Sequence, residues 1–365
     1  MNGPILRPIM IMAGGTGGHV YPALAVARSL AAHSCHVVWL GTRRGLEARV
    51  VPAAGIEMEW VSVHGLRGKG LATLLTAPFR LLIALYQSLR AMQHHRPAAV
   101  LGMGGFVSGP GGLAAWITRR PLLIHEQNAV AGMTNRLLAR LARVVLQAFP
   151  GSFPPAVKCE TVGNPVRREI AALPVPALRF AIRTGPLRLL VLGGSQGALA
   201  LNRSVPAALA RMPSGNRPLV RHQTGERTLD VAREAYRRHD IDAELVPFVE
   251  DMAEAYGWAD LVICRAGALT VAELAAVGLA AIFVPFPAAV DDHQTANARP
   301  MVAAGAAAMI AERDLDDDAL ASVLARWLAS RDALRQRAEL ARGLAMPDAL
   351  ERITGSCLEL AGVTS

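Results

Sequence analysis

The chain is poor in aromatic residues, in lysine and in long apolar runs, and each scarcity removes a class of protein. Aromatics are 5% of the 365 residues, and no zinc-ligand spacing or stacking motif accompanies the arginines, so a nucleic-acid partner is not expected. Lysine occurs only at Lys69 and Lys158, so the formal net charge of +9 rests almost wholly on arginine. Such a balance suits an anionic partner, a nucleotide or acidic lipid headgroups. It equally follows from a base composition that favours arginine codons. Cys35, Cys159, Cys264 and Cys357 are scattered, with neither a CxxC pair nor a dense framework, and are read as reduced thiols. The most apolar stretch, from Leu74 to Leu89, carries Arg80 at its middle and falls short of the roughly 20 residues that span a bilayer. No transmembrane helix is expected. The apolar stretch from Ile9 to Ala13 is too short for a signal peptide, which points to the cytoplasm.

What is present is a folded α/β chain. Hydrophobic residues at 52% against 18% charged supply enough burial to offset conformational entropy, and the length suits two domains. Short apolar runs at residues 9–13, 36–40, 57–63, 98–101, 122–125 and 144–147 read as strands, with amphipathic stretches at 21–32 and 71–94 between them. The alternation implies a parallel sheet covered by helices. It breaks between Gly163 and Pro186, where Pro165, Pro174, Pro176 and Pro186 mark a domain boundary. It then resumes with strands at 187–192, 219–223, 244–247, 261–264, 281–284 and 307–310, and a terminal helix at 348–360.

Both halves open in the same way. Gly14-Gly15-Thr16-Gly17-Gly18-His19 follows the first strand, and Gly193-Gly194-Ser195-Gln196-Gly197 follows the strand that opens the second half. Small residues between strand and helix let backbone N–H groups and the helix dipole face a phosphate or polar substrate, although each is also compatible with a tight turn. Neither is a Walker A loop, and no acidic ribose reader sits at the dinucleotide spacing. Gly102-Met103-Gly104-Gly105-Phe106-Val107-Ser108-Gly109-Pro110-Gly111-Gly112 is too glycine-dense for an ordinary connection. His125-Glu126-Gln127-Asn128 places polar groups at the C-terminal end of a strand, where ligands of open α/β sheets bind. Glu273, one turn into a helix that follows a strand, can accept from a ribose diol or face solvent. Asp291-Asp292-His293-Gln294 begins another helix, where the carboxylates suit capping equally well. The DxD pairs Asp240/Asp242 and Asp314/Asp316 lie in charged turns away from the glycine loops, so no metal site is expected.

Taken together these segments resemble one enzyme family, the MurG glycosyltransferases of bacterial cell-wall synthesis. The resemblance is carried by Gly14 to His19 with Pro22, Gly65-Leu66-Arg67-Gly68-Lys69-Gly70, the loop from Gly102 to Gly112, His125 to Asn128, Gly163-Asn164-Pro165-Val166-Arg167, Gly193 to Ala198, and Arg265 to Glu273 with Pro285-Phe286 and His293-Gln294. It implies the glycosyltransferase-B fold, two Rossmann-like doubly wound domains facing a cleft. Residues 1–167 would be an acceptor- and membrane-associating domain and 168–345 a UDP-sugar-binding domain, with 346–365 a helix crossing back to the first. The activity implied is inverting transfer of N-acetylglucosamine from UDP-N-acetylglucosamine to undecaprenyl-diphosphoryl-N-acetylmuramoyl-pentapeptide, lipid I, giving lipid II for peptidoglycan. The protein would sit peripherally on the anionic cytoplasmic face of the membrane, without a cofactor.

Position by position, the resemblance implies that Thr16, Gly17, Gly18 and Asn128 approach the donor sugar, with Arg167 at the interdomain edge. Ser195 would meet the diphosphate and Val249 the uracil through its backbone. Ala268, Leu269, Thr270, Val271, Ala272 and Glu273 would hold phosphates and ribose, and Gln294 would face the sugar. Two departures are Val249, where isoleucine is expected, and Ala280, where proline is common after Gly278-Leu279. Charge that grows on the leaving UDP can be met by helix N-termini, and His19 is the candidate base for the acceptor hydroxyl, or else a ligand of the acceptor diphosphate. Another sugar-nucleotide transferase of this fold would lack the 102–112 loop, a nicotinamide oxidoreductase would show a dinucleotide fingerprint, and a non-catalytic nucleotide-binding module would release no UDP. Between Leu66 and Arg90, Leu71, Leu74, Leu75, Phe79 and Leu82 are interleaved with Arg67, Lys69, Arg80 and Arg90, a pattern that suits membrane docking and would also suit a core helix.

Overall fold

The computed structural model describes residues 7–63, 71–194 and 197–363, with the side chains of 71–75 and 290 outside that description. The chain divides into two units, Met1–Pro165 with Pro347–Ser365, and Val166–Met346. In the first, β1 (Ile9–Met12), α1 (Gly17–Ala32), β2 (Val37–Gly41), α2 (Glu47–Ala53), β3 (Glu57–Trp60), α3 (Leu71–His95), β4 (Ala99–Gly102), α4 (Ser108–Ile117), β5 (Leu122–Glu126), α5 (Met133–Leu138), β6 (Val144–Gln147) and β7 (Glu160–Thr161) follow in order. They form a seven-stranded sheet, β3-β2-β1-β4-β5-β6-β7.

Alternation along each strand sends neighbouring side chains to opposite faces. On β1, Ile9 and Ile11 join α1 in one core, while Met10 and Met12 join Ala84 and Met92 of α3 and Ala114 and Ala115 of α4 in the other. Both faces are covered, which is why these strands read as unbroken apolar runs. The last helix of the chain returns to the first of these cores through Ile353, Cys357 and Leu358.

The second unit runs α6 (Arg168–Ala171), α7 (Pro176–Ala181), β8 (Arg188–Leu192), α8 (Leu199–Ala210), β9 (Leu219–Gln223), α9 (Leu229–Arg238), β10 (Glu244–Val246), α10 (Met252–Trp258), β11 (Leu261–Cys264), α11 (Ala268–Val277), β12 (Ala280–Phe283), α12 (His293–Ala303), β13 (Ala307–Met309), α13 (Asp317–Trp327) and α14 (Arg331–Arg342); α15 (Ala349–Ala361) is the returning helix. Its sheet has six strands in the order β10-β9-β8-β11-β12-β13.

Most strand expectations lie within two residues of the observed ends. The differences are informative. The third strand stops at Trp60, and a two-residue β7 extends the sheet edge. The proline-rich stretch between Gly163 and Pro186 contains α6 and α7, with Pro176 at the first helical position, where proline needs no N–H partner. Helix α1 begins at Gly17, because Thr16 is extended at φ −96°, ψ 162° and already accepts at its carbonyl from the His19 and Val20 N–H groups. All four cysteines are free, and burial pushes the Cys357 thiol up to about 12.

His222 on β9 is fully buried against Tyr236 of α9, with Nδ1 3.0 Å from the phenol oxygen. Burial drives its pKa down to about 3. Below the unfolded value the denatured chain therefore binds a proton that the native chain refuses, and stability present above pH 6.5 is lost as pH falls toward 3. Urea unfolding measured from pH 6.5 to 5 should lose up to about 1.4 kcal/mol per pH unit from this residue, and His222→Leu should flatten the slope by that amount. An unchanged slope in the variant would show that His222 accepts its proton in the folded state.

Candidate functional site

The sheet of the first unit reverses its winding between β1 and β4, and the loops that leave these strands carry two glycine clusters. They pack backbone to backbone: a Cβ on Gly105, whose φ is +82°, would stand 2.3 Å from the Gly14 carbonyl oxygen. Only glycine fits there. The start of the first loop is held by two buried groups. Trp39 Nε1–H donates to the Ala13 carbonyl at 2.9 Å. Glu47, wholly buried at the start of α2, accepts from the Gly15 N–H at 2.9 Å, the Thr42 N–H at 3.0 Å and the Thr42 hydroxyl at 2.7 Å. Buried carboxylates persist where donors converge on them, so Glu47 is a clasp on the Gly14-Gly15 turn.

Beyond that turn, Thr16, Gly17 and Gly18 begin α1, with Thr16 and Gly18 exposed. His19 follows, and its Nδ1 lies 3.0 Å from Gln127 Oε1. His125, at the end of β5, is buried and hydrogen-bonded through Nε2 to the Gly163 carbonyl at 2.9 Å; burial lowers its pKa to about 4. Glu126 is a second clasp. Its carboxylate accepts from the N–H groups of Asn128 (2.9 Å) and Gly132 (3.1 Å) and from the side-chain amides of Asn128 (3.2 Å) and Asn135 (2.9 Å). Asn128 is therefore fixed at the strand end.

The second unit repeats the scheme at β8 and β11. Helix α11 starts at Ala268 behind an extended Gly267, so Ala268, Leu269, Thr270, Val271, Ala272 and Glu273 are its first six residues. Because β11 and β8 are parallel neighbours, its first N–H groups and positive dipole end stand at the edge where β8 ends at Leu192. Arg167, just ahead of α6, donates through Nε and Nη2 to Glu273 Oε1 at 3.2 and 3.0 Å, and the Tyr256 hydroxyl donates to Oε2 at 3.0 Å. Burial nevertheless leaves the Glu273 pKa above its ordinary value, the Arg167 charge and hydrogen bond opposing it. Gln294 lies in the first turn of α12, where its Oε1 accepts from the Ala266 and Phe286 N–H groups at 3.2 and 2.9 Å, tying two loops together. Val249 is half-buried in the loop after β10. Ser195 and the segment from Gly65 to Gly70 lie outside the described residues.

The structure thus brings His19 to Gln127 and Arg167 to Glu273, and it sets the candidate residues it describes at the carboxyl ends of parallel strands or at the helix starts beyond them. Glu47 and Tyr256 carry no signal in the sequence, and Gln127 is marked there only as a member of the His125–Asn128 cluster. Two of the acidic residues have structural duties: Asp316 caps α13 through the Ala319 N–H, and Asp292 accepts from the Thr295 hydroxyl at 2.7 Å. Among the described residues, one group of side chains stands close enough to share a metal ion, Glu59 with His94 and His95. It contains none of the residues gathered by the glycine loops.

Residues 9–147 match the N-terminal domain, and 188–353 the C-terminal domain, of glycosyltransferase family 28, and the chain has the glycosyltransferase-B fold. It is 62% identical over 96% of its length, and 98% of the relative's, to the UDP-N-acetylglucosamine N-acetylmuramyl-(pentapeptide) pyrophosphoryl-undecaprenol N-acetylglucosamine transferase of Alkalilimnicola ehrlichii. It is 57% identical to the Nitrosococcus oceani protein of the same name, over 97% and 98% of the two chains. A crystal structure of Acinetobacter baumannii MurG aligns with a TM-score of 0.84 and 41% identity, covering 97% of this chain and 99% of that one. The chain belongs to the MurG family of N-acetylglucosaminyltransferases.

Replacing Glu47 by glutamine turns one accepting oxygen into a donor that faces another donor. Denaturation should show a loss of about 1–3 kcal/mol, the cost of an unsatisfied buried group, with nucleotide affinity retained. Wild-type stability in Glu47→Gln would mean that the carboxylate is not the clasp.

Proposed function

We propose that this chain transfers N-acetylglucosamine from UDP-N-acetylglucosamine to the muramoyl sugar of undecaprenyl-diphosphoryl-N-acetylmuramoyl-pentapeptide, a step of peptidoglycan synthesis. The observation that carries this reading is the 62% identity across 96% of the chain to a transferase of that name. As the acceptor oxygen bonds to C1, the C1–O bond to the diphosphate breaks and its electron pair leaves with UDP. The acceptor's proton passes to Nε2 of His19. Growing charge on UDP is met by the N-terminus of α11, whose aligned N–H groups need no reorganisation as the bond breaks. Glu273 accepts from the ribose, Arg167 and Gln294 border the donor, and Thr16, Gly17, Gly18 and Asn128 receive the sugar. Ser195 and the Val249 backbone complete the assignment.

Labelled donor and a short-chain lipid I analogue should give a disaccharide product and UDP. Glu273→Ala should weaken UDP affinity about 10- to 100-fold, the equivalent of about 1.5–3 kcal/mol for a charge-assisted acceptor. Donor hydrolysis without transfer would overturn the acceptor assignment, and unchanged calorimetric affinity would remove Glu273 from the donor site.

The acceptor's lipid tail requires a membrane face, and α3 supports one. No helix among the described residues is long and apolar enough to cross a bilayer. Instead α3 turns small residues inward, Ala77, Ala84, Ser88 and Ala91 being buried, and leaves Phe79, Leu82, Ile83 and Tyr86 exposed. Trp116 and Ile117 of α4 and Met133 and Leu137 of α5 are exposed as well, α4 packing against α3 and α5 against α4. Exposed Arg80, Arg90, Arg119, Arg136 and Arg140 accompany them. Apolar side chains flanked by arginines suit an anionic headgroup layer, at about 1 kcal/mol per basic residue. Leu71, Leu74, Leu75, Arg67 and Lys69 fall outside the described side chains.

Phe79→Ser with Leu82→Ser should abolish binding to anionic vesicles and leave the melting temperature nearly unchanged, because neither side chain is in the core. Retained vesicle binding would move the membrane face away from α3.

A further inference from the structure

A histidine that acts as a base must carry its lone pair on the nitrogen that faces the acceptor, and a neutral imidazole has two tautomers. Which one is present follows from the hydrogen bond made by the other nitrogen. Around His19 that bond is determined by groups whose roles admit no choice. Gln127 is 1% exposed, and its Nε2 lies 2.9 Å from the Met103 carbonyl and 3.3 Å from the His125 carbonyl. Carbonyl oxygens only accept, so the NH2 end of the amide must point to them. Oε1 then faces His19 Nδ1 at 3.0 Å. An amide oxygen also only accepts, so Nδ1 carries the hydrogen.

His125 completes the series. Its Nε2 faces the Gly163 carbonyl and so bears a proton, leaving Nδ1 as an acceptor 3.2 Å from the Gln127 NH2. A second proton on His125 would set N–H against N–H. The burial that keeps His125 neutral down to a pKa of about 4 prevents that throughout the neutral range. Space is fixed on another side of the His19 ring: a Cβ on Gly104 would stand 2.6 Å from Nδ1, so the ring lies directly against the glycine backbone.

We propose that Gln127 is a positioning residue, oriented by the Met103 and His125 carbonyls and by the His125 ring, that holds His19 as its Nδ1–H tautomer with the lone pair on Nε2. The proposal rests on the reading of His19 as the base. The rotated tautomer would set the lone pair of Nδ1 against that of Oε1. Gln127 thus acts on the reaction without touching substrate, through the nitrogen of His19 that it occupies.

The test is imidazole nitrogen NMR of the whole protein labelled with 15N-histidine, with the His19 signals identified by their absence from His19→Asn. The expected wild-type spectrum shows a protonated Nδ1 and an unprotonated Nε2 at His19. In Gln127→Met, of similar size but without the acceptor, the proton should redistribute toward Nε2, and kcat should fall about 10- to 100-fold with the KM for UDP-N-acetylglucosamine within about twofold. A wild-type His19 protonated at Nε2 overturns the proposal, and so does a folded Gln127→Met with the wild-type tautomer and kcat. The wild-type spectrum needs no Gln127 variant and decides the tautomer even if that variant fails to fold. Full turnover by His19→Asn would instead sink the base reading, while the spectrum still reports the tautomer.

Discussion

Every strand pairing described in this chain is parallel, and that constraint decides where chemistry can occur. Parallel neighbours need a crossover, so each strand delivers its carboxyl end, and the loop that follows it, to one edge of its sheet. Where the winding reverses, at β1 and β4 in one unit and β8 and β11 in the other, adjacent loops leave toward opposite faces and part the edge into a crevice. The glycine clusters follow β1, β4 and β8. Helix N-termini reach the same edge, so a polar ligand meets backbone N–H groups that the sheet no longer uses.

Loops at such an edge have no ladder of their own and take their shape from buried side chains. In the first unit two carboxylates do this. Glu47 gathers three donors around the Gly14-Gly15 turn, and Glu126 gathers four around the segment from Asn128 to Asn135. The apolar layers position strands to within a residue, whereas these polar clasps position individual N–H groups. Such placement is what a preorganised site requires.

The same distinction explains what the sequence disclosed. Strands with both faces covered announce themselves as apolar runs, and a glycine cluster after such a run marks a site because its conformational cost demands a reason. Glu47 gave no such signal: with Arg43, Arg44 and Arg49 nearby it reads as part of a solvated charged turn. Gln127 was visible as one of four polar residues at a strand end, but its partners lie 24 and 108 residues away. The apolar stripe of α3 has the same period whether it faces a core or a lipid layer. Only the burial of Ala77, Ala84, Ser88 and Ala91, opposite the exposed Phe79 and Leu82, tells which side is out. Proline density between Gly163 and Pro186 concealed two short helices, since proline opens a helix as readily as it ends one.

On the proposed reading, in which Glu273 meets the donor's ribose, lone-pair counting at its carboxylate sets what binding asks of it. A carboxylate offers about four accepting positions. Arg167 occupies two on Oε1 and the Tyr256 hydroxyl one on Oε2, so one remains. A ribose diol brings two hydroxyls. On the proposed reading the first takes the open position, and the second is accepted only if Arg167 gives up one of its two bonds to Oε1. The guanidinium N–H released by that exchange becomes available to another acceptor on the donor. On that reading Arg167 does two jobs, opposing the upward push of burial on the Glu273 pKa through its charge and hydrogen bonds and passing one donor to the substrate.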